Sequence, residues 1–171
     1  MRIIQAHDEH VHPAMDLLSD CIRDLRRHGI NQWDDIYPNL DTVTKDVAGR
    51  TLYVALQENR CLGAVCLTEE QAAAYREVSW VGGEPAFVIH RLCVAPAQQG
   101  RGILSRMVDF AEGFAEEKGY ASIRLDAYTG NERAVRLYER RGYTVAAQVF
   151  FPRRRLPFYC MEKLLRNVNA A

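Results

Sequence analysis

The sequence predicts an α+β fold: a mixed, mostly antiparallel central sheet of about seven strands flanked by about four helices, in one domain over residues 1–171. Three observations point there. The hydrophobic period switches repeatedly between the helical 3.6 and the strand value of 2, so both kinds of element are interleaved along the chain. No repeat, low-complexity tract or linker interrupts this pattern. With 48% hydrophobic and 26% charged residues, 171 positions fit one ordinary globular domain able to bury a core.

The elements follow in order. Ile3 to Ala6 reads as a short strand. From about Glu9 to Gly29, Val11, Met15, Leu18, Ile22 and Leu25 recur three or four residues apart, which predicts an amphipathic helix with a glycine stop. Asn31 to Leu40, NQWDDIYPNL, breaks that period with Trp33, Tyr37 and Pro38, and Asp41 to Ala48 predicts a second short helix opened by Asp41 as cap. From Thr51 the period is two. TLYVALQ, CLGAVCLT and AFVIHRLCV, separated by the ENR turn and by a loop holding Gly82, Gly83 and Pro85, predict three antiparallel strands of a meander. After PAQQGRG, a broad apolar stripe from Ile103 and Leu104 through Met107, Val108 and Ala111 to Phe114 and Ala115 predicts a helix ending at Lys118 and Gly119. Ser122 to Ala127 predicts a strand, Asn131 to Arg140 a short helix stopped by Gly142, and Tyr143 to Phe151 with Leu156 to Leu164 a closing strand pair.

Composition excludes several function classes. Lys plus Arg number 22 and Asp plus Glu number 22, so no global field draws the chain to nucleic acid or to a membrane, and neither is expected as a partner. No apolar run approaches the roughly 20 residues of a membrane span, and MRIIQAHDEH lacks the apolar core of a secretory signal, so a cytoplasmic protein is expected. Cys21, Cys61, Cys66, Cys93 and Cys160 form no C-x-x-C pair and no metal-ligand spacing. Buried free thiols and no metal are expected.

Two constellations carry chemistry. Gln98-Gln99-Gly100-Arg101-Gly102-Ile103 lies between a strand and the broad helix. Glycines at such a turn let the backbone approach a ligand, and the first amides of a helix point outward with partial positive charge, which suits a pyrophosphate. Taken alone, a tight structural turn explains the segment equally well. Neither G-x-G-x-x-G nor G-x-x-x-x-G-K-S/T is present. The second constellation follows RLDAY: Asn131 and Tyr138 are two helical turns apart and can share one face of their helix. Taken alone, an Asn cap and a core-facing tyrosine are the plainer explanation.

Together these features resemble the GNAT acetyltransferase superfamily. In that family Q/R-x-x-G-x-G/A sits at this turn and wraps the pyrophosphate of coenzyme A, which maps here to Gln99, Gly102 and Leu104. Leu104 departs from the small residue usual at its position. The family's next segment, N-x-x-A-x-x-L-Y-E-x-x-G-Y, is matched by Asn131, Ala134, Leu137, Tyr138, Glu139, Gly142 and Tyr143. The resemblance spans about Thr51 to Tyr143.

The resemblance implies an N-acetyltransferase that moves the acetyl group of acetyl-coenzyme A directly to a primary amine, with no metal. Coenzyme A would lie along Leu92, Cys93 and Val94, with its phosphates at Gln99, Gly100, Arg101, Gly102, Ile103, Leu104 and Ser105, and with Asn131, Ala134 and Tyr138 alongside. The amide of Cys93 or Val94 would face the oxyanion, and Tyr138 would protonate the leaving thiolate. His90 is the candidate base, with an ordinary pKa of about 6.5, placed by strand alternation on the face of Val88, Leu92 and Val94. A histidine hydrogen-bonded within the sheet is the alternative, and Glu84, Glu69 and Asp126 are weaker candidates. Nothing marks the Cys93 thiol as activated for an acetyl-cysteine route. In this fold the loop between the first two helices and the last strand pair build the acceptor pocket, which implicates Trp33, Tyr37, Phe150 and Phe151. Arg153, Arg154 and Arg155 read as a solvated turn before they read as an anion site. The expected acceptor is a small-molecule or amino-acid amine. A protein N-terminus or lysine, and a non-catalytic acyl-coenzyme A sensor, are the alternatives, the latter disfavoured by Tyr138 and His90. A monomer or homodimer is expected.

Overall fold

The switches in hydrophobic period become element boundaries in the computed structural model, which describes residues 1–165 and leaves the last six of the expected 1–171 domain outside the described residues. In order come β1 (Arg2–Gln5), α1 (Val11–Arg27), α2 (Leu40–Ala48), β2 (Leu52–Gln57), β3 (Arg60–Thr68), β4 (Ala86–Val94), α3 (Ile103–Glu117), β5 (Ser122–Tyr128), α4 (Glu132–Arg140), β6 (Thr144–Val149) and β7 (Phe158–Leu164). Short 3-10 turns at Asp8–His10, Ala73–Glu77 and Pro96–Gln98 were not expected from the sequence.

Among the described residues seven strands form one sheet in the order β1-β2-β3-β4-β5-β7-β6. β1 with β2, β2 with β3, β5 with β7 and β6 with β7 run antiparallel. β4 and β5 run parallel from Ala86 opposite Ser122 to Val88 opposite Arg124. A parallel pair needs a long return path, and α3 with its flanking turns supplies it. The result is the mixed, mostly antiparallel α+β architecture.

The chain divides into two compact units, Met1–Leu67 with His90–Ala111, and Thr68–Ile89 with Glu112 onward. The core of the first joins Ala14, Leu17, Leu18 and Cys21 of α1 to Val43 and Val47 of α2 and to alternate residues of β2 and β3. The buried face is shifted from the predicted stripe: Leu18 and Ile22 are buried, Val11, Met15 and Leu25 only half-buried, and Ala14, Leu17 and Cys21, outside that stripe, belong to the core. α1 ends at Arg27, and Gly29, the predicted stop, follows it with φ of 73° while the Ile30 amide donates to Leu25 O at 2.9 Å. α2 begins one residue earlier than predicted, and its cap is Asn39 rather than Asp41: Asn39 Oδ1 accepts from the Thr42 amide at 2.9 Å. Both residues are competent caps, and Asn39 takes the position because the chain enters the helix from extended backbone there. Gly63 sets how closely β3 and α3 pack, since a Cβ there would stand 2.4 Å from Met107 Sδ and 3.1 Å from Cys93 O.

In the second unit Tyr75, Val78, Val88 and Cys160 make a small core, and Phe87 stacks on Phe114 and Tyr120 with ring centroids 5.6 and 4.5 Å away. The connection from β3 to β4 is tied down by Arg124, whose side chain is 1% exposed. Its Nε donates to Glu162 Oε1 at 2.9 Å, Nη1 to Gln71 Oε1 and Glu84 Oε1 at 2.9 and 2.7 Å, and Nη2 to Gly82 O at 2.8 Å. Its guanidinium also lies 4.5 Å from the Trp80 ring centre.

Candidate active site

In the first unit the strand-to-helix turn has the backbone its glycines predict. Gly100 and Gly102 both have φ of 77°, and nothing lies within 4 Å of where a Cβ would stand on either. Both are glycine because of backbone conformation rather than crowding, and the surface over the turn is open. Gly102 O accepts from the Arg106 amide at 3.1 Å, so the helix is already bonded there while the amides of Ile103, Leu104 and Ser105 have no partner within it. Gln99, Arg101 and Gly102 are exposed, Leu104 and Ser105 half-buried, and Ile103 is buried in the core. The open turn and the outward amides suit a pyrophosphate.

β4 departs from the alternation predicted for it. Arg91 has φ of 52°, in the left-handed region, in the middle of the strand. A residue in that conformation ends the two-residue period, so the face shared by Val88 and His90 does not continue to Leu92 and Val94; Cys93 and Val94 are buried consecutively. His90 is half-buried just before the irregularity. Beyond it, Val94 O accepts from Cys21 Sγ at 3.3 Å and the Ala95 amide donates to Leu62 O at 2.9 Å. The neighbouring Cys21 thiol and burial raise the Cys93 thiol well above its ordinary pKa. Burial likewise pushes Cys61 and Cys66 up to about 11. Such thiols hold almost no thiolate at neutral pH and make poor nucleophiles. All five cysteines are free.

The Arg91 side chain is gripped. Its Nε and Nη2 donate to Asp46 Oδ2 and Oδ1 of α2 at 2.8 and 2.6 Å, and its Nη1 donates to the Tyr37 hydroxyl at 2.6 Å. Of the aromatic residues predicted to face the acceptor, Tyr37 is thus bonded through its hydroxyl yet 39% exposed. Trp33 packs against the first unit's core, so at least part of its role is structural. Asp34 shapes the same loop by accepting from the amides of Ile36 and Tyr37 at 2.9 and 2.8 Å.

In the second unit the α4 motif shows the plainer of the two arrangements, an Asn cap and a core-facing tyrosine. Asn131 is the cap, its Oδ1 accepting from the Ala134 amide at 3.3 Å. Tyr138 is buried, with its ring 5.5 Å from Tyr143 in an edge-on arrangement. Burial, then the nearby Asp126 carboxylate, raise the Tyr138 phenol well above its ordinary pKa. Asp126 on β5 accepts from the Tyr75 hydroxyl at 2.8 Å. The other carboxylates weighed as bases are engaged: Glu84 with Arg124, Gln71 and the Ala86 amide, and Glu69 with the Tyr120 hydroxyl at 2.5 Å. Hydrogen bonding from Arg124 holds the Glu84 carboxyl below its usual range. Phe150 is 68% exposed and Phe151 half-buried against the second core. Arg153 and Arg155 are exposed and Arg154 is half-buried, Arg153 taking the turn at φ of 63°.

The sequence profile of the acetyltransferase (GNAT) family matches residues 14–143. The chain belongs to the GNAT acetyltransferase family. Members transfer an acetyl group from acetyl-coenzyme A to an acceptor. No curated protein matches in a sequence search. Solved structures of similar fold include a GNAT acetyltransferase from Streptococcus agalactiae 2603, at TM-score 0.83 and 18% identity over 96% of this chain and 95% of that one. Another is a GNAT acetyltransferase from Listeria monocytogenes 4b F2365, at TM-score 0.74 and 24% identity over 96% and 94%. A third, the ribosomal-protein-S18-alanine N-acetyltransferase of Escherichia coli, superposes at TM-score 0.70 with 13% identity over 96% and 93%. At these identities the likeness is one of fold. Among the described residues no helix of this GNAT protein is long and apolar enough to cross a membrane, and no group of three or more His, Cys, Asp or Glu is placed to hold a metal ion.

Proposed function

We propose that this chain is a cytoplasmic acetyl-coenzyme A-dependent N-acetyltransferase, one domain over 1–171, that acetylates a primary amine of a small molecule or amino acid. The observation that carries the reading is the turn from Gln99 to Ile103, where two left-handed glycines with open space above them lead into a 15-residue helix. The Gln99 to Ser105 segment holds the phosphates through backbone amides, so Leu104 in place of a small residue is tolerated. When bound, acetyl-coenzyme A supplies a thioester carbonyl open to amine attack and a thiolate leaving group.

The remaining roles belong to the chain's own residues. Leu92, Cys93 and Val94 offer strand backbone along which the cosubstrate extends, and the amide of Cys93 or Val94 donates to the developing oxyanion. Tyr138 holds its proton throughout the neutral range, the state a proton donor needs, because burial and Asp126 both disfavour the phenolate. His90 receives or relays the proton that the acceptor ammonium must lose. Asn131 and Ala134 border the same ligand, and Trp33, Tyr37 and Phe150 contact the acceptor. Isothermal titration with acetyl-coenzyme A, followed by thiol-release assay against amines and peptides, tests the reading. Binding with release on small amines is expected. Release on peptides alone would reassign the acceptor, and absence of binding would overturn the function.

A further inference from the structure

Five non-glycine residues have positive φ among the described residues, and four of them, Arg50, Glu58, Asn59 and Arg153, sit in turns. Arg91 is the fifth and lies inside β4, one residue after His90 and two before Cys93. Arginine has no intrinsic preference for the left-handed region, because its Cβ crowds the backbone there. Something outside the local sequence holds it.

The side chain shows what does. Asp46 receives the guanidinium by both oxygens, at 2.8 and 2.6 Å, and the two side chains are each 12% exposed. Fork-to-fork pairing of this kind fixes the plane and direction of an arginine as well as its charge. The third contact, Nη1 to the Tyr37 hydroxyl at 2.6 Å, brings in the loop before α2, and the Tyr37 ring centre lies 5.9 Å from the guanidinium carbon. One side chain therefore joins an irregular strand position, a helix and the loop assigned to the acceptor, all within the first unit.

Backbone direction after an irregular strand residue depends on that residue's φ and ψ. The amides assigned to the oxyanion, on Cys93 and Val94, follow Arg91 by two and three positions. We propose that Arg91 is a positioning residue for acetyl transfer, clamped by Asp46 and Tyr37 so that the strand beyond it presents those amides in a fixed direction. This role rests on the acetyltransferase reading. It also makes the loop carrying Tyr37 part of the device, so an acceptor seated against Tyr37 bears on the geometry of the thioester strand.

The test uses the full chain with Asp46→Asn, which keeps the shape of the clamp and removes its charge, and Tyr37→Phe, which removes one hydroxyl and keeps the proposal testable should Asp46→Asn fail to fold. Turnover is measured on folded protein, acetyl-coenzyme A affinity by titration, and the amide resonances of Leu92, Cys93 and Val94 by NMR. Asp46→Asn is expected to lower kcat by about 100-fold, the scale of a misplacement of order 1 Å, with a smaller loss in Tyr37→Phe. The cosubstrate dissociation constant stays within about threefold, since the phosphate-binding turn is untouched. The 92–94 amide signals shift while those of α1 do not. A merely structural pair would lower the melting temperature and leave kcat and these signals in place, and that outcome overturns the role. A wild-type chain that neither binds acetyl-coenzyme A nor releases thiol overturns the acetyltransferase reading and this role together, and is distinguished by being seen before any substitution is made.

Discussion

Two arginines anchor the two units, and they do different work. Arg124 sits in regular strand β5 and reaches outward from it: Glu162, Gln71, Glu84 and Gly82 gather round its guanidinium, so it secures other parts of the chain. Arg91 sits in an irregular position of β4, and the contacts to its guanidinium constrain its own backbone. An arginine of the first kind is worth most to stability, because its partners include a buried carboxylate. One of the second kind is worth most to geometry. Burial alone would not separate them, since both guanidinium groups are largely withdrawn from water and both are paired.

The largest expected effect tests the stability half of that contrast. Arg124→Leu leaves Glu162, 3% exposed, without its cation, and urea unfolding should show a loss of about 3–5 kcal/mol. A loss no greater than that of an exposed pair would deny Arg124 its stabilising role despite its burial. Next, Tyr138→Phe should lower kcat about 100-fold while acetyl-coenzyme A affinity and the unfolding midpoint stay near wild type, since donation of a proton in the transition state contributes on that scale. Unchanged turnover would remove Tyr138 from the mechanism and leave the second unit with a purely supporting part. His90→Ala should abolish the acidic limb of the kcat/KM profile; persistence of that limb would hand the base to another group.

The smallest effect concerns pH and stability. Burial disfavours the Glu162 charge, but the amides of Gly82 and Val81, the Ser122 hydroxyl and Arg124 outweigh it and hold the carboxyl below its ordinary value. A depressed carboxyl contributes stability above its unfolded pKa of about 4.3 and loses it as pH falls through the folded value. Glu162→Gln should therefore flatten the acid side of the stability profile. An equally steep acid limb in the variant would assign that limb to other carboxylates.

Much of this fold was legible in order of elements because its signals are local. The helical period of α1, the glycine stop at Gly29, the glycines of the turn before α3 and the spacing from Asn131 to Tyr143 each depend on residues within a few turns of one another. The cap of α2 was misplaced by two residues because Asn39 and Asp41 are both good caps and only the entry angle of the chain decides between them. The break in β4 was not legible. AFVIHRLCV alternates well enough to predict an unbroken strand, and the partner that holds Arg91 out of register lies 45 residues earlier, in another helix. Arg124 escaped for the same reason: its partners Gln71, Gly82, Glu84 and Glu162 come from separate stretches, and a strand arginine with no local mate reads as solvent-facing. Within the candidate site, the family-like motifs were readable residue by residue, whereas the link from Tyr37 to β4 depends on tertiary placement.

The turn at Gly100 and Gly102 carries one more implication for the proposed enzyme. A phosphate grip made of main-chain amides has no side chain to titrate or oxidise, so the grip itself would add no pH dependence to cosubstrate binding. The same construction shelters the grip from most point substitutions. Erosion of cosubstrate binding would come chiefly through the two glycines, where any side chain must adopt the 77° backbone it avoids.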